Sequence, residues 1–313
     1  MRAIVSDPHQ PHRIAFADVA EPTPSRDEAL VAARAVSLNR GNFRRLTWEG
    51  AGWRPGYDVA GIVLRAAADG SGPPEGARVA GLVPEGAWAE RVAVPTRRLA
   101  VIPEGVSDAA AAALPAAGLT CIVALARGGP LLGTRVPVTA AAGGVGRIAI
   151  QLARLGGAHV TAQVGRPERA AGLGALGAAE VVLSVDAATG LFDLAIESIG
   201  GAVLAQTLAK MAPGGTAVSL GASSDEFTTF DVLALVRRGA ITLYAISLFQ
   251  EMERQGVGAR ALGDLLALVA AGKLDPQIGL QGSWREMGPM LAALGARQVA
   301  GKAVAVIDSG GEA

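Results

Sequence analysis

The stretch RVPVTAAAGGVG (residues 135–146) sets the reading of this chain, together with the run RIAIQLARLGG that continues from it. Val136, Val138 and Ala140 belong to a short apolar run of β-branched and small side chains. Gly143, Gly144 and Gly146 then make a turn almost bare of side chains, with Val145 between them. Ile148, Ile150, Leu152, Ala153 and Leu155 resume as a mostly apolar helix. Strand, glycine turn and helix in this order suit a dinucleotide pyrophosphate. Backbone N–H groups must come close to the phosphates, and a helix N-terminus adds unpaired N–H groups and partial positive charge. A tight strand-to-helix connection would use the same glycines, so the motif alone leaves both readings open.

About twenty residues further on, where a Rossmann unit reads the adenosine ribose, a second strand HVTAQV (residues 159–164) runs into Gly165, Arg166, Pro167, Glu168 and Arg169. A carboxylate at this tip would accept hydrogen bonds from ribose hydroxyls. The tip instead offers Gly165 and then Arg166, a cation suited to a 2′-phosphate, with Arg169 a second candidate. Glu168 is the one contrary charge. These residues predict NADPH as the cofactor.

The chain has 313 residues, room for two domains with separate cores. Half the residues are hydrophobic and 18% are charged, a globular composition without a disorder signature. Lys plus Arg and Asp plus Glu number 28 each, so no basic excess points to nucleic acid and no charge run to an anionic membrane. The N-terminal MRAIVSDPHQPHRIAF lacks the apolar run of a signal peptide, and other apolar stretches are interrupted too early to span a bilayer. A single cysteine, Cys121, leaves no internal disulfide and suits a reducing cytoplasm. A cytoplasmic protein with a small apolar substrate is expected.

In chain order, AIVSD, RIAFADV, ALVAARAVSLN, DVAGIVLRAA, ARVAGLV and AWAERVAVP read as short strands divided by Pro, Gly and Asp turns. They predict a compact antiparallel, barrel-like domain over residues 1–108. From Asp108 an alanine-rich helical segment, broken at Pro115, leads into alternating strands and helices. VPVTA, HVTAQV, EVVLSV, FDLAIES, TAVSLGA and ITLYAISL are the strands; GRIAIQLARLG, PERAAGLGALG and GAVLAQTLAKM are the helical runs between them. This alternation predicts a parallel, doubly wound sheet over residues 109–248. A tail, residues 249–313, carries two helices, ARALGDLLALVAAG and SWREMGPMLAAL, and a closing strand GKAVAVI.

Read together, SLNRGNFRR, PGYDVAGIV, ARVAGLVPEGAWAERVAVP, ALPAAGLTCIVAL, AAGGVGRIAIQLAR and the final GKAVAVI resemble the medium-chain dehydrogenase/reductase superfamily, in its zinc-free quinone oxidoreductase branch. The resemblance covers essentially the whole chain, and the order of the blocks is what makes it specific. It implies an α/β fold: a GroES-like β-barrel-type domain, a Rossmann domain and a C-terminal segment returning to the first domain, with the active site in the cleft between domains. It also implies a homodimer paired through the Rossmann sheets.

Residue types argue against a metal. A catalytic zinc wants three Cys, His or acidic ligands and a structural zinc in this superfamily four cysteines. Gly56, Tyr57 and Asp58 stand where zinc-dependent relatives have Gly-His-Glu, and His9, His12 and His159 form no recognisable cluster. Without a Lewis acid, the acceptors that fit are those whose product charge spreads onto oxygen, a quinone or an α,β-unsaturated carbonyl. The protein then mainly holds nicotinamide and acceptor together and excludes water.

The resemblance assigns Asn39 to the loop facing nicotinamide and substrate, with a turn-stabilising Asn as the other reading. The family usually continues Pro-x-Asp, where this chain has Arg40, Gly41 and Asn42. Arg40, Arg44 and Arg45 would bind an acidic group or form a solvated face. Tyr57 and Trp53 fall where the first domain would border the cleft, and Tyr57 would stack on the acceptor, donate its proton or simply pack. Thr120 matches a family Thr near the nicotinamide phosphate. Ser198 to Gly200, and Gly221 with Ala222, lie at carboxyl ends of strands, where open α/β sheets collect ligands. Cys121 is expected to be buried and inert. The function expected is NADPH-dependent reduction of a quinone. The alternatives are an enone, alkenal or enoyl-thioester reductase, and a protein that binds NADPH without turnover.

Overall fold

Alternating apolar patterns fold as strands, and the long alanine- and leucine-rich runs as helices. The computed structural model describes residues 1–308. Its first part contains β1 (Arg2–Ser6), β2 (Ile14–Asp18), β3 (Glu28–Leu38), α1 (Arg40–Arg45), β4 (Asp58–Arg65), β5 (Arg78–Leu82), β6 (Arg91–Pro95), β7 (Leu99–Val101), α2 (Asp108–Ala112) and α3 (Pro115–Leu125). Next come β8 (Arg135–Val138), α4 (Gly144–Leu155), β9 (His159–Gln163), β10 (Ala178–Val182), β11 (Phe192–Glu197), α5 (Gly201–Ala209), β12 (Met211–Ser219), α6 (Val232–Arg238), β13 (Thr242–Ala245) and α7 (Leu248–Gln255). The last part holds α8 (Ala259–Ala270), β14 (Ile278–Ser283), α9 (Met287–Gly295) and β15 (Lys302–Val306).

The chain divides into two compact units. One comprises residues 1–119 and the described residues from Val257 onward. Its centre is β3, buried along most of its length, with only Glu28, Ala32 and Arg34 half-buried. The start of β3 pairs antiparallel with β6 (Glu28↔Pro95) and its end with β15 (Leu38↔Ala303). β4 covers the other edge, followed by β5 and β7. The barrel-like antiparallel expectation holds, with one parallel pair, β14 on β15. Val31, Val36, Val59, Val79, Val94, Leu99, Trp88 and Trp284 fill the core. Trp88 is fully buried, and its Nε1 donates to Ser37 O at 3.1 Å; truncating such a side chain costs about 3–5 kcal/mol.

The second unit is Thr120–Gly256. Its six strands, all parallel, lie in the order β10-β9-β8-β11-β12-β13. The order reverses between β8 and β11, so the carboxyl ends of these strands flank a topological switch point. The doubly wound α/β sheet expected from the alternation is present. One helical run is not: PERAAGLGALG forms a short 3-10 turn, Pro167–Ala170, and then irregular turns. Gly172 and Gly177 have φ of +78° and +110°, outside the helical region, and they end the helix that the alanines favour. Elements not foreseen in the sequence are α1, α6, α7, β7 and β14. Along the segment that runs through α6 to β13, Phe227, Phe230, Val232, Leu233, Val236 and Leu243 are exposed. No helix among the described residues is long and apolar enough to cross a membrane.

Candidate functional site

In the second unit the glycine turn follows β8 directly. Ala140 takes φ +48°, a left-handed conformation that lets the chain reverse before the helix, and Gly143 N donates to Ala140 O at 2.9 Å. Gly143 is the N-cap of α4 and gives no side chain to cap its first-turn N–H groups. Gly146 has no room for anything else: a Cβ there would stand 2.6 Å from Ala141 Cα and 2.7 Å from Ala140 O. This glycine lets the helix start press against the turn. Gly143 is looser, its nearest neighbour 3.3 Å from an added Cβ.

Polar side chains bind the neighbouring strand ends to this turn. Gln163, at the end of β9, accepts from Ala140 N through its side chain (3.3 Å) and from Ala141 N through its carbonyl (3.0 Å). Thr139 Oγ1 accepts from Ser198 N at 2.9 Å and donates to Glu197 Oε1 at 3.3 Å. Glu197 is fully buried; burial pushes its carboxyl above the ordinary range, against the pull of the Ile199 and Gly200 N–H groups. Ser223 N and Ser224 N then donate to the carbonyls of Ser198 and Ile199 at 3.3 and 2.8 Å. Gly143, Gly144, Val145, Gly146, Ser198, Gly221 and Ala222 therefore gather along one edge of the sheet. Gly165 and the exposed Arg166 follow β9 on that same edge, with Arg169 half-buried in the turn after them. Thr120 sits on α3 beside Cys121, whose Sγ donates to Val145 O at 3.4 Å and sets α3 against the start of α4. Cys121 is fully buried, and burial pushes its thiol upward, away from the reactive thiolate.

In the first unit the remaining candidates surround a buried carboxylate. Gly56 takes φ +107° with Trp88 packed on it, and this turn carries Tyr57 and Asp58 into place. Asp58, fully buried, accepts from Ser37 Oγ, Asn39 Nδ2 (2.7 Å) and Ala116 N (2.7 Å). Lys302, 3% exposed, donates to Asn39 Oδ1 at 2.6 Å, and its Nζ lies 3.6 Å from Asp58 Oδ2. Burial pushes the Lys302 ammonium down, while Asp58 opposes the shift. Asn39 is the N-cap of α1, so the residue expected in a loop opens a short helix. Asn42, in the first turn of that helix, accepts from Asn39 N at 3.3 Å, and its Nδ2 has no partner among the described residues.

Tyr57 is half-buried over Gly41, where a Cβ would lie 3.2 Å from the ring. Burial raises its phenol above the ordinary value, with the Arg45 guanidinium opposing. Arg45 pairs with Glu49 (2.6 Å) and Glu85 (3.2 Å), lies 4.4 Å over the Trp53 ring and also hydrogen-bonds the Tyr57 phenol, so it joins Tyr57 to this cluster. Sequence reasoning missed Asp58 as an anchor, Lys302, Thr139, Gln163 and Glu197. Two carried a readable signal: a lysine opening the apolar strand GKAVAVI, and a glutamate closing the apolar FDLAIE.

A zinc ion does not fit these residues. The Asp58 carboxylate is already filled by three donors and faced by an ammonium, and Tyr57 stands beside it in place of an imidazole. Among the described residues no three His, Cys, Asp or Glu side chains group at ligand spacing.

Residues 144–261 match the zinc-binding dehydrogenase family. The solved quinone oxidoreductase of Thermus thermophilus, also determined with NADPH, is 32% identical, covers 98% of this chain and 100% of its own, and superposes with a TM-score of 0.81. The Arabidopsis thaliana chloroplast envelope quinone oxidoreductase homolog is 38% identical over 46% of this chain and 49% of its own length. The 2-methylene-furan-3-one reductase of Solanum lycopersicum is 35% identical over 50% of this chain and 46% of its own. The chain thus spans about half the length of these two curated relatives. With similarity to a solved quinone oxidoreductase over 98% of the chain at 32% identity, the chain belongs to the medium-chain dehydrogenase/reductase superfamily of oxidoreductases, as a quinone oxidoreductase-like member.

Proposed function

We propose that the chain is an NADPH-dependent, zinc-independent reductase of quinones, acting as a homodimer on a small apolar acceptor. The observation that carries the reading is the turn itself: an uncapped helix start at Gly143, a Gly146 with no space for a Cβ, and a cation, Arg166, at the tip of the next strand. The N–H groups of Gly144, Val145 and Gly146 would hold the pyrophosphate, Arg166 with Arg169 the 2′-phosphate, and Thr120, Ser198, Gly221 and Ala222 the remainder of the cofactor. When bound, the nicotinamide supplies a hydride. Asn39 would donate to the acceptor or the cofactor, and Tyr57, its phenol kept protonated by burial, would bind the acceptor or give it a proton.

The identity to a 2-methylene-furan-3-one reductase favours a second reading, reduction of an enone or enoyl thioester by the same residues. The test is fluorescence titration of NADPH and NADH into the wild type and Arg166→Ala, followed by turnover with 1,4-benzoquinone and methyl vinyl ketone. Tighter NADPH binding that Arg166→Ala abolishes, with quinone turnover, supports the leading reading. Turnover of the enone alone moves the function to the second. Binding without turnover of either makes the chain a nucleotide-binding protein, and equal binding of the two nucleotides removes the NADPH assignment.

A further inference from the structure

Asn39 carries a primary amide whose two ends are nearly identical in shape, so its partners decide which end points where. Besides the backbone N–H of Asn42, which its side chain accepts at the helix start, the partners are two buried groups of opposite kind. Lys302 Nζ donates to Asn39 Oδ1 at 2.6 Å, and Asp58 Oδ2 accepts from Asn39 Nδ2 at 2.7 Å. Turning the amide over would set NH2 against ammonium and carbonyl against carboxylate. Both charge-assisted bonds, each about twice as strong as a neutral one, would be lost.

The distances rank the contacts. Lys302 Nζ is 1 Å nearer to the amide oxygen (2.6 Å) than to the Asp58 oxygen (3.6 Å), so its short bond goes to the asparagine and the ion pair is secondary. Of the three side chains only Asn39 is half-exposed. The ions are rigidly mounted. Ser37 Oγ and Ala116 N hold Asp58, and Lys302 opens β15, whose next residue pairs with Leu38 beside Asn39. A buried ion pair is by itself weak evidence for stability, which leaves its retention here to be explained by what it orients.

We propose that Lys302 is a positioning residue: with Asp58 it forms an ionic clamp that locks the Asn39 amide in one orientation, so that the N–H not bound by Asp58 is presented to the ligand in a fixed sense. The inference rests on the ligand-facing role of Asn39 under Proposed function.

The chain contains only two asparagines, Asn39 and Asn42, so Asn-selective 15N labelling gives two side-chain amide pairs, assigned with Asn39→Ser. The Asn39 pair is expected to be widely dispersed in the wild type and to move toward random-coil shifts in Lys302→Met. A random-coil pair in the wild type, or a pair that Lys302→Met leaves in place, overturns the clamp, whether or not any acceptor is turned over. Activity supplies the second arm through the double variant Asp58→Asn/Lys302→Met, which buries no net charge. Its melting temperature should stay near that of wild type while kcat with 1,4-benzoquinone falls about 10- to 100-fold at little changed NADPH KM, and Lys302→Arg should retain more activity than Lys302→Met. Recovery of wild-type kcat in the double variant would mean that the ions only balance each other, and the proposal fails. An inactive wild type with clamped amide signals would instead remove the quinone and enone readings and leave the clamp standing.

Discussion

A Cβ placed on Gly56 would stand 2.5 Å from Cδ1 of Trp88 and 2.6 Å from its backbone nitrogen. The turn that delivers Tyr57 and Asp58 is therefore pressed against a fully buried indole, in a conformation (φ +107°) that L-residues resist. Gly56→Ala should destabilise the protein by about 2–4 kcal/mol, combining backbone strain with overpacking. Urea unfolding followed by tryptophan fluorescence measures this, and a loss below about 0.5 kcal/mol would show that the turn relaxes freely.

The nucleotide turn predicts a contrast between two glycines. Gly146→Ala collides with Ala140 and Ala141, whereas a Cβ on Gly263, in α8 of the other unit, meets nothing within 4 Å. NADPH affinity should fall at least about tenfold in Gly146→Ala and stay near wild type in Gly263→Ala. Equal losses in both would mean that the cofactor, if bound, does not depend on the close approach at Gly146.

Acid should weaken the second unit through Glu251. Burial pushes this carboxyl up, but hydrogen bonds from Tyr244, Arg254 and Gln255 outweigh it and hold it at about 2. Its folded value lies below the unfolded one, so its stabilisation is complete above the ordinary glutamate range, about 4.3, and is lost as pH falls toward 2. Urea midpoints between about pH 6 and pH 3 should drop less steeply in Glu251→Gln than in wild type. Parallel curves would contradict the assignment.

The apolar side chains exposed around α6 and β13 predict self-association. β13 is an edge strand, and Val232, Leu233 and Val236 stand open on the helix before it. Light scattering on a sizing column should give twice the chain mass, and Leu233→Asp/Val236→Asp should give the monomer. A monomeric wild type would remove the proposed homodimer.

Much of the architecture was legible because it rests on local pattern. VPVTA, HVTAQV and FDLAIES read as strands by their shortness, β-branched content and flanking glycines, and the glycines after Val138 mark where the helix begins. PERAAGLGALG misled because alanine propensity says helix while two glycines sit at positive φ. The polar cluster was harder to see. Asn39, Asp58 and Lys302 are far apart in sequence, and only the pairing of β3 with β4 and β15 brings them together. Asp58 read as a missing zinc ligand, and what it does instead depends on donors contributed by three other segments. β14 has glycines at Gly279 and Gly282 with an exposed Gln281 between them, a pattern too weak to separate from a turn.

The second unit is one continuous segment lying between the two parts of the first. On the ribosome this imposes an order of events. Asn39 emerges 263 residues before Lys302, on the order of 10–50 s at ordinary rates of synthesis. Throughout that interval the end of β3 lacks β15, its partner on one edge, and Asp58 lacks its counter-ion. The nucleotide-binding unit can complete its own sheet meanwhile, so a nascent chain would be able to hold its nucleotide while the edge of its other sheet is still open to chaperones or to wrong partners.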